Sequence, residues 1–189
     1  MADEEHIPFT RADNERLRGV SRMASLEIVL EKAARAYSEE EKLALAERKN
    51  CYYVQLIRKL TDAAILPGAR ETVIRLREAG VLTAVASSSK NARLILTQVG
   101  LIDLFDAIID GTQITKSKPN PEVFLKAAEL LHKKPQDCIV VEDADAGIAA
   151  AKSAGMYAVA VGNAHGGDLH YSGLNSVDLL KLAVGKETK

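Results

Sequence analysis

The sequence has no tryptophan, only two cysteines and few aromatic residues, which make up 4% of its 189 residues. Cys51 and Cys138 lie far apart without a C-x-x-C pattern, which favours a reducing compartment over a disulfide framework. No apolar run approaches the ~18 residues of a transmembrane helix, and the start, MADEEHIPFT, lacks the apolar region of a signal peptide. These absences predict a cytoplasmic, globular protein.

The charges are almost balanced, with 25 basic and 26 acidic residues and a net charge of -1. Because the two signs are well mixed, we expect no nucleic acid and no membrane as partner. Apolar residues make up 47% of the chain and charged residues 27%, enough for a core and a hydrated surface. The length favours one or two domains.

The chain divides into two regions of different pattern. Residues 10–66 carry only helical signals, with Thr10, Ser21 and Ser38 as predicted N-caps. After the predicted linker ILPGA, helices alternate with short apolar strands, which indicates a parallel sheet with crossover helices. We therefore predict an α/β fold, with a helical domain at 1–66 and a parallel-sheet core at 67–189. The predicted core helices are Ala69–Glu78, Asn91–Val99, Pro121–Leu131 and Ala146–Ala154, and the predicted strands are LTAVAS, AIID, CIVV and YAVAVG.

Polar residues follow three of the predicted strands, at the edge where open α/β sheets bind ligands. The first strand is followed by a polar segment that leads into a helix: Ser87, Ser88, Ser89, Lys90 and Asn91. Its hydroxyls and the free backbone N–H groups at the start of the helix are suited to bind a phosphate. The alternative is that the serines only cap that helix.

The other two strand ends carry a lysine and a pair of acids. Lys118 stands beside the Pro-Asn-Pro run, and Glu142 and Asp143 follow the strand CIVV. Oxygen ligands favour Mg²⁺, and a lysine offsets charge on a transferring phosphoryl group. The alternatives are a solvated surface lysine and an Asp143 that only caps the next helix, a role that Asp145 could also fill.

Three segments resemble the second, third and fourth motifs of haloacid-dehalogenase-type phosphotransferases. In chain order they are AVASSSKN, TKSKPNPEVFLKAAELL and VVEDADAGIAAAKSAG. LRGVSRMASLEIVLE and ERKNCYYVQLI are similar to the cap segment of the β-phosphoglucomutase branch. The resemblance covers nearly the whole chain and implies a Rossmann-like core with a helical cap. It also implies a Mg²⁺-dependent mutase, monomeric in the family, that moves phosphate between C1 and C6 of β-D-glucose.

The resemblance also implies roles for individual residues. Ser87, Asn91 and Lys118 match positions that contact the transferring phosphate, with Ser88 and Ser89 in the same loop. Asp143 matches a magnesium ligand, and Glu142 shapes the metal site. Arg22 matches the residue that grips the non-transferring phosphate, beside Gly19, Val20 and Ser21; the alternative is that Ser21 caps a helix and Arg22 points to water.

The first motif of the family, an apolar strand ending in D-x-D, has no counterpart in this sequence. Its first aspartate is the family's nucleophile and its second the general acid/base, so we expect little or no mutase activity from this chain alone. The absence of that strand also predicts two unpaired inner sheet edges, between LTAVAS and CIVV, which favour strand-mediated association.

Three accounts of that absence remain open: a product truncated at an internal methionine, a non-catalytic binding protein, and a split protein completed by a partner. A sugar-phosphate phosphatase is the alternative parent activity. The four histidines form no ligand-spaced cluster, and Gly166 and Gly167 read as a loop.

Overall fold

The computed structural model describes residues 1–17 and 19–185. Its first part is helical, with helices α1 (Arg11–Glu15), α2 (Arg22–Leu30) and α3 (Glu39–Ile57). The hydroxyls of Thr10, Ser21 and Ser38 each accept a backbone N–H of the first turn, so the three predicted N-caps are confirmed. Leu26, Leu45 and Ala46 form the buried contact between α2 and α3.

The second part alternates helices and strands, as the sequence pattern predicts. The helices are α4 (Ala69–Glu78), α5 (Ala92–Gln98), α6 (Glu122–Leu130), α7 (Asp145–Ser153) and α8 (Leu179–Gly185). The strands are β1 (Ala84–Ala86), β2 (Ala107–Ile109), β3 (Ile139–Glu142), β4 (Tyr157–Val161) and β5 (Leu169–Tyr171). Single 3-10 turns lie at Asp3–Glu5, Asp62–Ala64, Ile102–Leu104, Pro135–Asp137 and Leu174–Ser176. β5 was not predicted, because its sequence LHY is short and follows glycines.

All strand pairs are parallel, but they form two sheets rather than one. β1 pairs with β2, while β3, β4 and β5 form a second sheet in that order. The break lies between β1 and β3, where we predicted the inner edges left by a missing first core strand. Within the described residues the facing edges of β1 and β3 therefore have no strand between them.

The main core lies between the helices and the three-stranded sheet. Ala150 and Ala151 of α7 and Ala158, Val159 and Ala160 of β4 are 0% exposed. Small side chains on both elements let the helix approach the strand closely, and such close packing is typical of protein interiors. The carboxyl ends of β1 and β3 lie at the same edge of the core, because Lys118 contacts both of them.

The α/β class and the Rossmann-like core with helical cap are confirmed. The boundary at residue 66 stays a prediction, and residues 186–189 of the predicted core lie outside the described part. None of the described helices combines the length and apolarity that a membrane crossing requires.

Candidate phosphate-binding site

Lys118 lies between the two sheets and contacts both. Its Nζ donates to the carbonyl oxygen of Ala86 at the end of β1, at 3.2 Å, and pairs with the carboxylate of Glu142 at the end of β3. The Phe124 ring lies below the amine, 4.7 Å from Nζ to the ring centroid. Lys118 is only 8% exposed, so the alternative of a solvated surface lysine is wrong.

Glu142 is buried beside the first turn of helix α7, in the space left by the absent side chain of Gly147. A Cβ at position 147 would lie 2.2 Å from Cδ of Glu142, far inside any allowed contact. Gly147 is therefore required by the close approach of the carboxylate. The sequence sign of this close approach is a glycine inside an otherwise alanine-rich helix.

Asp143 follows Glu142 and donates its backbone N–H to Oε2 of Glu142, at 3.2 Å. The N-cap of α7 is Ala144, and no side chain caps this helix. The alternative that Asp143 or Asp145 serves as an N-cap is therefore wrong; Asp145 Oδ1 instead accepts the backbone N–H of His165, at 2.7 Å.

The serine loop between β1 and α5 is folded by its own hydroxyls. Ser87 Oγ accepts the N–H of Ser89 at 3.1 Å, and Ser89 Oγ accepts the N–H of Asn91 at 3.2 Å. No side chain caps α5, whose N-cap is Asn91, so the alternative of serines that serve only as helix caps is wrong. The Ser88 hydroxyl is buried and has no hydrogen-bond partner among the described residues.

Gly111, which follows β2, supports the serine loop from behind. Its N–H donates to the Ser89 carbonyl at 3.1 Å, and a Cβ at this position would lie 2.4 Å from the Ser88 carbonyl oxygen. Sequence reasoning missed this contact, although a glycine directly after a strand is a common sign of close backbone approach.

The helical part meets the core at Asn50 of α3. Asn50 Oδ1 accepts hydrogen bonds from Arg22 Nη2 and from Asn91 Nδ2, both at 2.9 Å. Arg22 also pairs with Glu47, with Nη1 3.0 Å from Oε2. Ser21 caps α2, but Arg22 has protein partners, so of that alternative only the cap is confirmed.

Gly19 also lies at the junction between the helical part and the core. Its φ is 72°, and a Cβ here would lie 3.3 Å from Cβ of Ala144, next to Asp143. Of the predicted cap residues, Gly19 therefore lies close to the residue that follows Asp143.

Lys49 is a second cation beside Arg22 that sequence analysis did not single out. Its Nζ donates to the buried Ser25 hydroxyl at 2.7 Å. Burial, and then the positive charge of Arg22, lower the pKa of the Lys49 amine. A lysine whose charge is disfavoured in this way is suited to accept an anion. In the sequence, Lys49 lies in ERKN, within the cap-like segment ERKNCYYVQLI.

The predicted site residues thus form two cationic centres, each beside oxygen atoms. Arg22 and Lys49 form the outer centre, and Lys118 forms the inner one beside Glu142 and Asp143. Within residues 1–17 and 19–185, no group of three or more His, Cys, Asp or Glu side chains is arranged to hold a metal ion. Chemically, the positively charged donors of each centre suit an anionic group.

Comparisons with known proteins identify the family of the chain. The family model of haloacid dehalogenase-like hydrolases matches residues 1–155. The chain is 47% identical over 164 residues to β-phosphoglucomutase of Bacillus subtilis, covering 86% of this chain and 73% of the relative. It is 30% identical over 159 residues to a phosphorylated carbohydrates phosphatase of Thermotoga maritima, covering 82% and 71%.

Among solved structures, the chain is similar to β-phosphoglucomutase from Clostridium difficile. The TM-score is 0.88 at 38% identity, over 98% of this chain and 86% of the other. The chain therefore belongs to the haloacid dehalogenase-like hydrolase family, in its β-phosphoglucomutase branch.

Proposed function

We propose that this chain carries the site of a β-phosphoglucomutase-type phosphotransferase, which interconverts β-D-glucose 1-phosphate and glucose 6-phosphate. The observation that carries the proposal is the pair of cationic centres, Lys118 in the core and Arg22 in the helical part. Asn50 links Arg22 to Asn91 of the serine loop, and Lys118 binds Ala86 at the end of the strand that leads into that loop. A mutase must hold the same sugar by either end, and two anion-binding centres meet that need. The relatives from Bacillus subtilis and Clostridium difficile support the substrate class.

At the inner centre, Lys118, Ser87 and Asn91 would hold the transferring phosphate, with Ser88 and Ser89 shaping the loop. The amine offsets negative charge that grows on the phosphoryl oxygens. Burial of Lys118 among Ala86, Glu142 and Phe124 holds the amine in one position before the substrate arrives, so little ordering is left for the moment of reaction.

At the outer centre, Arg22 would hold the non-transferring phosphate, with Gly19, Val20 and Ser21 forming the start of α2 beside it. Arg22 has a planar guanidinium that binds a phosphate through two N–H groups. Its N–H groups donate to Glu47 and Asn50, which hold the guanidinium at the start of α2. Lys49 lies near enough to add a second positive charge.

Asp143 and Glu142 are the residues that would hold Mg²⁺. Their carboxylates are the hard oxygen donors that Mg²⁺ prefers, and Mg²⁺ is commonly bound by one or two carboxylates together with water and substrate phosphate. The donor set therefore fits the ion. When bound, Mg²⁺ supplies positive charge to the phosphoryl oxygens.

The nucleophile and the acid/base of the family belong to the D-x-D motif, for which this sequence has no counterpart. We therefore expect this chain alone to bind phosphate but to turn over little or no substrate. We further propose a cytoplasmic protein with a sugar phosphate as its partner and no nucleic acid or membrane ligand. The family suggests a monomer, although the open edges of β1 and β3 favour association.

A sugar-phosphate phosphatase is the second candidate, favoured by the likeness to the Thermotoga maritima phosphatase. The outer centre distinguishes a mutase from a phosphatase. A mutase must keep the sugar bound while the end of the sugar that faced the outer centre turns toward the inner one. A non-catalytic binding protein would keep both centres without turnover.

The test is a coupled assay for glucose 6-phosphate formed from β-glucose 1-phosphate, with Mg²⁺ and a bisphosphate primer. It compares this chain with one extended by the upstream coding sequence. Activity in the extended chain only is the expected result. Release of inorganic phosphate without glucose 6-phosphate would favour the phosphatase, and no activity in either chain would favour a binding protein.

A further inference from the structure

Glu122, the first residue of α6, holds the segment that leads to Lys118. Its carboxylate accepts the backbone N–H of Thr115 at 3.1 and 3.0 Å from the two oxygens, and the backbone N–H of Lys116 at 2.7 Å. The Thr115 hydroxyl donates to the same carboxylate at 2.9 Å. One side chain thus satisfies three donors of a loop that belongs to no strand or helix.

The carboxylate is itself held in place. Lys126, one turn along α6, pairs with it at 2.9 Å, and Asn120 Oδ1 accepts the Glu122 N–H at 3.0 Å. Lys126 and the two backbone N–H groups lower the pKa of Glu122 to about 2. The side chain is therefore ionised at neutral pH, as an acceptor of several hydrogen bonds must be.

The position of Lys118 depends on two segments. One is the loop at residues 115–116, which Glu122 holds, and the other is helix α6, which begins at Glu122. Lys118 follows Lys116 by two residues, and Phe124, in the first turn of α6, lies against its amine. Val123 and Phe124 are 0% and 5% exposed, so the start of α6 is anchored in the core. A loop released from Glu122 would keep its covalent link to α6 but lose the contacts that direct Lys118 to Ala86 and Glu142.

We propose that Glu122 is a positioning residue, which acts through Lys118 by fixing residues 115–116 against α6. The inference rests on the proposed role of Lys118 in phosphate binding. Glu122 does not reach the reacting phosphate itself, since its carboxylate is occupied by the loop. Its effect on binding therefore exists only while Lys118 is present.

A double-mutant cycle tests this directly. The variants are Glu122→Gln, Lys118→Met and the double variant, with Glu129→Gln as control, an exposed glutamate of the same helix. Calorimetry measures the affinity of each purified chain for inorganic phosphate with Mg²⁺, and thermal unfolding is recorded beside it. Thr115→Val is added because it removes only the hydroxyl contact and is the mildest change.

We expect Glu122→Gln and Lys118→Met each to weaken phosphate binding about tenfold, as loss of a charge-assisted contact would. The double variant should be no weaker than Lys118→Met, while Thr115→Val loses less and Glu129→Gln loses nothing. A purely structural Glu122 would lower the unfolding temperature equally in both backgrounds without this dependence on Lys118.

The two ways of failing are distinct. If Lys118→Met binds phosphate as well as the unchanged chain, the proposed role of Lys118 is wrong. If Lys118→Met weakens binding but Glu122→Gln does not, or if the two losses simply add, the positioning role of Glu122 is overturned. Should Glu122→Gln fail to fold, unchanged phosphate affinity in Thr115→Val would overturn it, and a loss in that variant would support it.

Discussion

Asn50 accepts a hydrogen bond from Asn91 at 2.9 Å, and this contact joins the helical part to the core. The same oxygen of Asn50 accepts from Arg22. A residue of each proposed phosphate centre therefore shares one acceptor. Asn50 thus ties α2 and α3 of the helical part to the start of α5 in the core.

Asn50→Ala should loosen the junction between the helical part and the core. The side chain makes two hydrogen bonds, each worth about 1 kcal/mol in proteins, and no other described side-chain hydrogen bond links Arg22 with Asn91. We expect a larger radius of gyration by small-angle X-ray scattering of the ligand-free chain. Gln55→Ala, at an exposed position of the same helix, is the control. Identical scattering from all three chains would contradict the prediction.

Lys49→Met should stabilise the ligand-free chain and weaken sugar-phosphate binding. Burial and Arg22 lower the pKa of the Lys49 amine, so the folded state disfavours its charged form. For a base with a lowered folded pKa, the destabilisation is present at low pH and disappears as pH rises through the folded pKa toward the ordinary value. The difference in unfolding temperature between Lys49→Met and the unchanged chain should therefore be larger at pH 7 than in alkaline solution. Lys59→Met, at an exposed position, is the control.

Gly147→Ala should destabilise the core even though alanine is the better helix former. Alanine in place of glycine favours a helix by about 1 kcal/mol, whereas forcing extra volume into a packed site costs about 1–3 kcal/mol. The added Cβ would lie 2.2 Å from Glu142 Cδ, so the clash decides the sign. Denaturant unfolding should show a loss of stability, together with weaker Mg²⁺ binding. Gly185→Ala in α8, where a Cβ meets nothing within 4 Å, should not be destabilising.

Glu122 should contribute to acid sensitivity over a defined range of pH. Its pKa falls from 4.5 to about 2 in the folded chain. A lowered carboxyl pKa gives stability that is present above the ordinary value and is lost as pH falls through the folded value. The stability difference between the unchanged chain and Glu122→Gln should accordingly be constant above about pH 5 and shrink toward pH 2. A difference that stayed constant down to pH 2 would refute the assigned pKa.

Much of the local structure follows from short-range patterns in the sequence. Helix α4 spans Ala69–Glu78 as predicted, and Ser21 and Ser38 cap their helices as predicted, because caps and helical periodicity depend on residues within one or two turns. The strands β1 to β4 were found to within two residues at each end. β5 was missed, because three residues carry too little pattern and gain their pairing only from β4.

The candidate site, in contrast, depends on contacts between residues far apart in the sequence. The sequence motifs identified Lys118, Glu142 and Arg22, but their burial and partners come from segments far apart in the chain, such as Ala86 for Lys118 and Asn50 for Arg22. Only the folded chain shows the contacts of four further residues: Lys49, Asn50, Gly111 and Glu122. Residue type and local spacing determine helices, turns and the chemistry available at strand ends. Tertiary structure decides which of those groups lose water and meet, because desolvation and pairing depend on neighbours that the local sequence does not contain.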